Sequence, residues 1–359
     1  MDWLAVYFAG VEDPRASNAR HDFLEVIFVA LAALLCGAED CTDMAMFAHE
    51  KLPLLRQVVE LKHGAPSHDT FSRVFRLIDP DAFEAAFARF TAAFGEALKG
   101  IVAIDGKALR GAYEVGCKTS PLHLINVWSA RSGLVIGQHL APGRNEVQGV
   151  LEALKLLKLK GCTVTTDALH CRADTAQAIL DTGADYVLAV KANQPTLLAR
   201  AQALTQAASP LQQVTVEEPR RAHDRIEART ATITPASDID FPGIAAVGRV
   251  EARRRTKDGA VEVAVRWYLL STKLEPERFL EAARTHWTIE NRLHWVLDVD
   301  LHEDAAKNRK DFGPQNLAIM RKIALNLLRQ HPDKGSIKGK IKRAGWTESF
   351  LLSLLGQMR

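Results

Sequence analysis

Cysteine is scarce in this sequence: five among 359 residues, at Cys36, Cys41, Cys117, Cys162 and Cys171. An odd, scattered set does not build a disulfide framework and fits a reducing, cytoplasmic setting. Neither a Cys-x-x-Cys nor a His-x-x-x-His pair accompanies His170 and Cys171, so a zinc signature is missing as well. There is no membrane-spanning run. The longest apolar stretch, "FLEVIFVALAALLCGA" at 23–38, falls short of the roughly 20 residues a span needs and holds Glu25, so it reads as a buried helix. No basic segment precedes it as a secretory signal would require. Repeats and low-complexity tracts are absent, and the formal net charge is only +3. What remains, 47% hydrophobic and 25% charged residues, is an ordinary globular composition with material for about two domains.

The small net charge hides an uneven distribution. Between Lys307 and Arg343 stand 11 Lys/Arg against 2 acids, a local +9 that leaves −6 on the rest. A polyanion is therefore drawn to the C-terminal region, unless the run is simply a solvated helix face.

Residues 1–98 read as a small helical domain, with helices expected at 23–35, 43–61 and 79–98, the last placing Phe83, Phe87, Phe90 and Phe94 on one stripe. Between them, "GAPSHDTFSRVFRLI" at 64–78 breaks at Gly64 and Pro66, offers Ser67 as an N-cap and sets Arg73 and Arg76 one turn apart. That is either a helix-turn-helix reader of DNA or a packing motif with two solvated arginines.

From residue 101 the pattern turns to strands: "IVAID", "LHLINVWSA" (122–130) and "GLVIGQHL" (133–140), then a helix at 145–160, "CTVTTD" (162–167), a helix at 172–182 and "DYVLAVK" (185–191). The order predicts an α/β mixed sheet, its first three strands antiparallel and the rest joined by right-handed crossovers. A β-rich section at about 200–275 interrupts this unit before helices resume at 276.

Asp105 and Asp167 each close an apolar run of that sheet, at the strand ends where open α/β sheets place ligands. Two neighbouring carboxylates repel unless one is protonated or a cation holds both. A hard ion such as Mg²⁺, which takes one or two carboxylates plus water and phosphate oxygens, suits the pair, although Asp167 also serves as an N-cap for the next helix. A third acid is expected from 283–310, where His286, Glu290, His294 and Asp298 fall at successive i, i+4 positions. Spacing alone leaves Glu290, Asp298, Asp300, Glu303 and Asp304 open.

Six segments, "AIDGKALRG", "HLINVWS", "LVIGQ", "TTDALHCRADTAQAI", "YVLAVKANQ" and "HWTIENRLHWVLDVDLHED", taken in order resemble bacterial insertion-sequence transposases of the H-repeat-associated group in the IS-four superfamily. The resemblance runs over nearly the whole chain, "PSHDTFSRV" included. It implies a ribonuclease-H-like mixed sheet with a β-rich insertion, preceded by a small all-helical domain (1–98) and followed by a basic helical tail (331–359), the catalytic domain spanning 99–330. It implies that Asp105, Asp167 and Glu290 form a DDE triad holding Mg²⁺, with Mn²⁺ as a substitute and two ions in all. The implied reaction is cleavage of the element's ends in double-stranded DNA, followed by attack of the freed 3′-hydroxyl on target DNA, by a protein that pairs as a homodimer on its DNA. The wider superfamily carries Tyr, Arg and Lys around the glutamate where this sequence has Ala283, His286 and Leu297, so those DNA contacts do not transfer.

On this reading Lys107, Arg110 and Lys191 lie beside the acids and hold phosphates, with Asn193 and Gln194 near by; Arg284, Asn291, Arg292 and Lys307 are the candidates to replace the missing superfamily contacts, and Arg73 and Arg76 serve the helical domain. The competing reading is a catalytically silent transposase-derived DNA-binding protein, whose mark would be a lost acid. All three acids are present.

Overall fold

The computed structural model describes residues 2–94, 99–113, 121–207, 212–221, 225–236, 239–255 and 260–358; Cys117 and the expected helical residues 95–98 lie outside them. Six helices come first: α1 (Asp2–Tyr7), α2 (Phe23–Leu35), α3 (Cys41–Glu50), α4 (Leu52–Leu55), α5 (His68–Leu77) and α6 (Pro80–Ala92). The central part runs β1 (Ile101–Tyr113), β2 (Pro121–Ser129), β3 (Leu134–Leu140), α7 (Glu146–Leu156), β4 (Thr163–Thr166), α8 (Ala173–Asp181), β5 (Asp185–Val190) and α9 (Pro195–Ala207). Four strands follow, β6 (Gln212–Arg221), β7 (Arg225–Pro235), β8 (Ala246–Arg255) and β9 (Val261–Leu270). The chain then ends in α10 (Pro276–Thr288), α11 (Trp295–Val299), α12 (Gly313–Gln330), α13 (Ile337–Trp346) and α14 (Glu348–Leu355).

All nine strands form one sheet in the order β3-β2-β1-β4-β5-β9-β8-β7-β6. The first three pair antiparallel, and β4 and β5 add parallel to β1. That is the ribonuclease-H-like arrangement expected from the sequence. The β-rich section does not stand apart as an interruption. Its last strand, β9, pairs antiparallel with β5 and carries the sheet onward, because β5 would otherwise offer an open edge of backbone donors and acceptors.

Alternation of side chains across the strands gives the sheet two apolar faces. Val102, Ile104, Val164 and Leu188 share a core with Val150, Ala153 and Leu154 of α7 and Ile179 of α8. On the other face Ile101 and Val187 pack with Phe279, Leu280 and Ala283 of α10. α10 is therefore held against the middle of the sheet.

The apolar run of 23–38 is α2, started by the Asp22 side chain accepting from the Glu25 backbone N–H and buried almost throughout. Among the described residues no helix is long and apolar enough to cross a membrane. α2 is covered by α12, buried from Gly313 to Leu328, and by α13 and α14. The basic C-terminal segment is thus part of the core that the N-terminal helices build. Several of its cations are internal rather than offered to a polyanion. Arg321 donates to the Leu301 and Glu39 carbonyls, Lys322 to Gln138 Oε1 at 2.7 Å, and Lys340 to the Leu328 carbonyl at 2.7 Å. Asn316 and Asn326 of α12 bond the backbones of α5 and β3, so one helix ties the helical region to the sheet edge.

Candidate active site

β1 is longer than the apolar run "IVAI" indicates. It continues through Asp105 to Tyr113, because β2 pairs with it from Val102↔Ser129 to Leu109↔Leu122. Asp105 therefore sits inside a strand and not at its end. The shorter β4 stops at Thr166, opposite Ile104. One step further along this parallel register, Asp105 and Asp167 stand beside each other, about 5 Å apart by the spacing of neighbouring strands. Asp167 also accepts from the Leu169 backbone N–H at 3.0 Å, which caps the short turn at 168–170 and not α8, whose N-cap position is Arg172.

The third acid arrives on a helix that is not regular. Between α10 and α11, residues Ile289–His294 form a π-helical turn, whose i→i+5 bonds break the i, i+4 stripe expected over 286–298. Ile289 and Leu293 remain in the core with Ala103 and Trp128, while Glu290 is exposed and near enough to Asp105 for its charge to act on that carboxyl. His294 turns to Asp105, its Nδ1 3.8 Å from Oδ2, with Nε2 3.3 Å from Asn126 Nδ2. Burial pushes the Asp105 carboxyl up to about 7, and the charges of Asp167 and then Glu290 add to it; the Gly106 backbone N–H opposes them and Glu146 adds a smaller push. Burial, helped by Lys107, holds His294 down at about 3, and burial lowers His286 to about 4, so both imidazoles are neutral.

The remaining acids of the segment go elsewhere. Lys107, two residues along β1 from Asp105, is 7% exposed and meets Asp298 at 2.7 Å, Glu303 at 3.1 Å and Asp304 at 3.1 Å. This corrects the expectation that Lys107 grips phosphate: its ammonium is already surrounded by carboxylates. Burial works against the charged lysine, but Glu303 and Asp298 outweigh it and the pKa rises. Glu303, fully enclosed, is held down at about 2 by Lys322 and Lys107 against the burial that raises it. Arg76 is also engaged, with Asp311 at 2.7 Å. Arg73, Arg110, Lys191, Arg292 and Lys307 are exposed, Arg110 reaching Asp304 loosely at 3.6 Å.

Two residues near the acids, Glu146 and His123, are not singled out by the sequence, and His170 is weighed there only for zinc. Glu146 Oε1 lies 2.7 Å from His123 Nε2, and its pairing with that ring is what lowers the Glu146 carboxyl. Only the fold brings together positions so far apart in the chain; the "NE" that caps and opens α7 was the one local sign.

Among the described residues no three His, Cys, Asp or Glu side chains are gathered tightly enough to hold a metal as they stand. The donor chemistry nevertheless fits a hard divalent ion, being two adjacent carboxylates with a third on the facing helix. Asn126 Oδ1, on the residue paired with Asp105, and both ring nitrogens of His170 are buried with no hydrogen-bond partner, as polar atoms around an ion's water shell would be.

Comparison with known proteins agrees with this geometry in kind. A family described as DDE_Tnp_1-associated matches residues 5–91, and one described as Transposase DDE domain matches residues 96–327. YncI of Escherichia coli O157:H7, provisionally named a transposase, is 32% identical over 97% of this chain and 93% of its own length. YhhI of Escherichia coli strain K12, provisionally named an H repeat-associated transposase, is 31% identical over 94% of this chain and 93% of its own. A solved piggyBac transposase synaptic complex with hairpin DNA aligns with 99% of this chain and 78% of that one at a TM-score of 0.46 and 12% identity, too distant to argue from. By the extent of the domain match and the identity to these relatives, the chain belongs to the transposase DDE domain family.

Proposed function

We propose that this protein is the transposase of an insertion sequence, which binds the element's DNA ends, cuts them and joins the freed 3′ ends to target DNA. The observation that supports the reading is the β1–β4 register, which ends at Ile104↔Thr166 directly before Asp105 and Asp167, on a sheet packed against α10, the helix that leads into Glu290. Asp105, Asp167 and Glu290 would hold the divalent ions, Mg²⁺ or Mn²⁺. Such ions supply charge neutralisation and acidify a bound water or hydroxyl in reactions of this class.

The protein's own groups account for the rest. Asp105, with its proton affinity raised, is poorly ionised without a cation and gains most from one. Neutral His294, held by Asn126, stands 3.8 Å from it and brings no competing positive charge. In the first step a water oxygen bonds to phosphorus and the P–O3′ bond breaks, leaving a 3′-hydroxyl and a 5′-phosphate. In the second that hydroxyl attacks a target phosphodiester and the target's 3′ oxygen leaves. One phosphodiester replaces another, so no external energy source is needed. Arg110, Lys191, Arg292 and Lys307, all exposed, meet the DNA backbone, and Arg73 meets it from α5. We assign element-end recognition to residues 1–98, catalysis to 99–330, and support of the N-terminal helices to 331–359. Cutting two ends together calls for a dimer on DNA.

The test is Mg²⁺-dependent cleavage and joining on the DNA flanking this gene. Asp105→Asn, Asp167→Asn and Glu290→Gln should each abolish cutting while sparing DNA binding, and Asp298→Asn should still cut. Binding without cutting by folded parent protein in either metal would refute the enzymatic reading.

A further inference from the structure

Glu146 is the first residue of α7, which covers the face of the sheet opposite α10. Its carboxylate turns inward: besides the bond to His123, Oε2 stands 3.8 Å from His170 Nε2, and that same nitrogen is 3.8 Å from Asp167 Oδ1. His170 is fully buried, with neither ring nitrogen hydrogen-bonded, and its Nε2 is aimed at the space between the two carboxylates. A buried nitrogen left without a partner is costly, so the geometry favours something polar in that space.

Gly106 makes the approach possible. A Cβ at this position would lie 2.8 Å from both Cδ and Oε2 of Glu146 and 3.0 Å from His123 Nε2. Any side chain following Asp105 would drive the carboxylate off β1; the glycine there is a matter of space, since its backbone is ordinary strand. The chain thus leaves room beside Asp105 and fills it with a fourth acid.

We propose that Glu146 is a fourth carboxylate of the metal centre, binding a divalent cation together with Asp105 and Asp167 on the flank away from Glu290. His123 holds the carboxylate's orientation, and His170 receives the ion's water shell, as second-layer groups do. The inference rests on Asp105 and Asp167 being metal ligands.

The experiment titrates Mn²⁺ alone into the full-length, DNA-free protein, followed by calorimetry and by loss of the free-ion magnetic resonance signal. Parent, Glu146→Gln, Asp105→Asn, Asp167→Asn and the isosteric surface control Glu152→Gln are compared. Glu146→Gln should weaken Mn²⁺ binding by about 10–100-fold, the scale of disturbing a metal's ligand environment, with an unchanged circular dichroism spectrum. Glu152→Gln should bind as the parent does. Should Glu146→Gln not fold, Glu146→Asp, which withdraws the carboxylate by one methylene, should show the same direction of loss. Loss in the two aspartate variants with Glu146→Gln within about twofold of parent would overturn this inference alone, leaving Glu146 as the partner of His123. Aspartate variants that bind like the parent, or a parent that binds no Mn²⁺ at millimolar concentrations, would overturn the metal-centre reading with it.

Discussion

Replacing Lys107 by methionine separates a structural cation from a DNA-binding one. The side chain is 6% exposed and its Nζ contacts Asp298, Glu303 and Asp304 within 3.1 Å. Methionine fills much the same volume but removes the charge. Breaking a buried ion pair from one side costs about 3–5 kcal/mol, because the partner stays buried and uncompensated. Here Glu303 keeps Lys322 at 3.4 Å, and Asp298 and Asp304 retain some solvent, so the lower end applies, about 3 kcal/mol. At roughly 2 °C per kcal/mol for a chain this large, the melting temperature should fall by about 6 °C. Arg110, whose side chain is 84% exposed, provides the contrast. Arg110→Gln should leave stability unchanged, weaken DNA binding across sequences and lower the salt slope by about 1. The assay is urea and thermal unfolding of both variants beside DNA titrations at fixed salt. Lys107→Met that melts with the parent but loses DNA affinity would refute the reasoning and restore Lys107 as a phosphate contact.

Asp105→Asn should raise stability in chelator at pH 8. The folded pKa of about 7 lies above the unfolded value, so this acid's ionisation destabilises the fold increasingly as pH rises from about 4 to 7. The gain, about 2–4 kcal/mol by the shift, should fade toward pH 4; a destabilised variant at pH 8 would contradict it. His286 and His294 have folded pKa values of about 4 and 3, below that of a free imidazole, so their contribution to stability is present above about pH 6.5 and lost as the pH falls toward those values. In the Asp105→Asn background, which removes the opposing titration, urea titrations from pH 8 to 4 should show that decline, and adding His286→Gln with His294→Gln should flatten it; an equally steep variant carrying both histidine changes would argue against it. Gly248→Ala would drive a Cβ into the Phe279 ring, between β8 and the buried face of α10. It should cost about 1–3 kcal/mol by overpacking, and Phe279→Leu in the same chain should recover part of the loss in thermal unfolding.

The order of elements was legible because the sheet's strands are short apolar runs and its helices carry apolar stripes, both local signals. What was not legible depended on contacts distant in sequence. "GKALRGAY" lies beyond the apolar run that marks the strand, yet it is strand because β2 supplies its hydrogen bonds and the 298–304 segment neutralises Lys107. The π-turn at 289–294 has no mark in composition, so the 3.6-residue stripe misplaced Asp298 beside Glu290. In α12, periodicity could not announce buried cations, since a helix enclosed on all sides has no polar face on which to expect them.

The two charge clusters on β1 bear on where a cation belongs. Asp105 and Lys107 point to the same face, two residues or about 7 Å apart along the strand. Lys107 would be the obvious counter-charge for the aspartates, and a strand-end cation beside an acid suggests that pairing from sequence. The fold directs it away: Asp298, Glu303 and Asp304 surround the ammonium, and Lys322 balances what it leaves on Glu303. The imidazoles that flank Asp105 and Asp167, His294 and His170, are both depressed by burial, so they bring hydrogen-bonding capacity and no positive charge. One cluster is thus neutralised from within. The other is the metal centre we propose, Asp105, Asp167 and Glu290 with Glu146 at its flank, and the burial that lifts Asp105 toward neutrality is the electrostatic state a divalent ion would reverse.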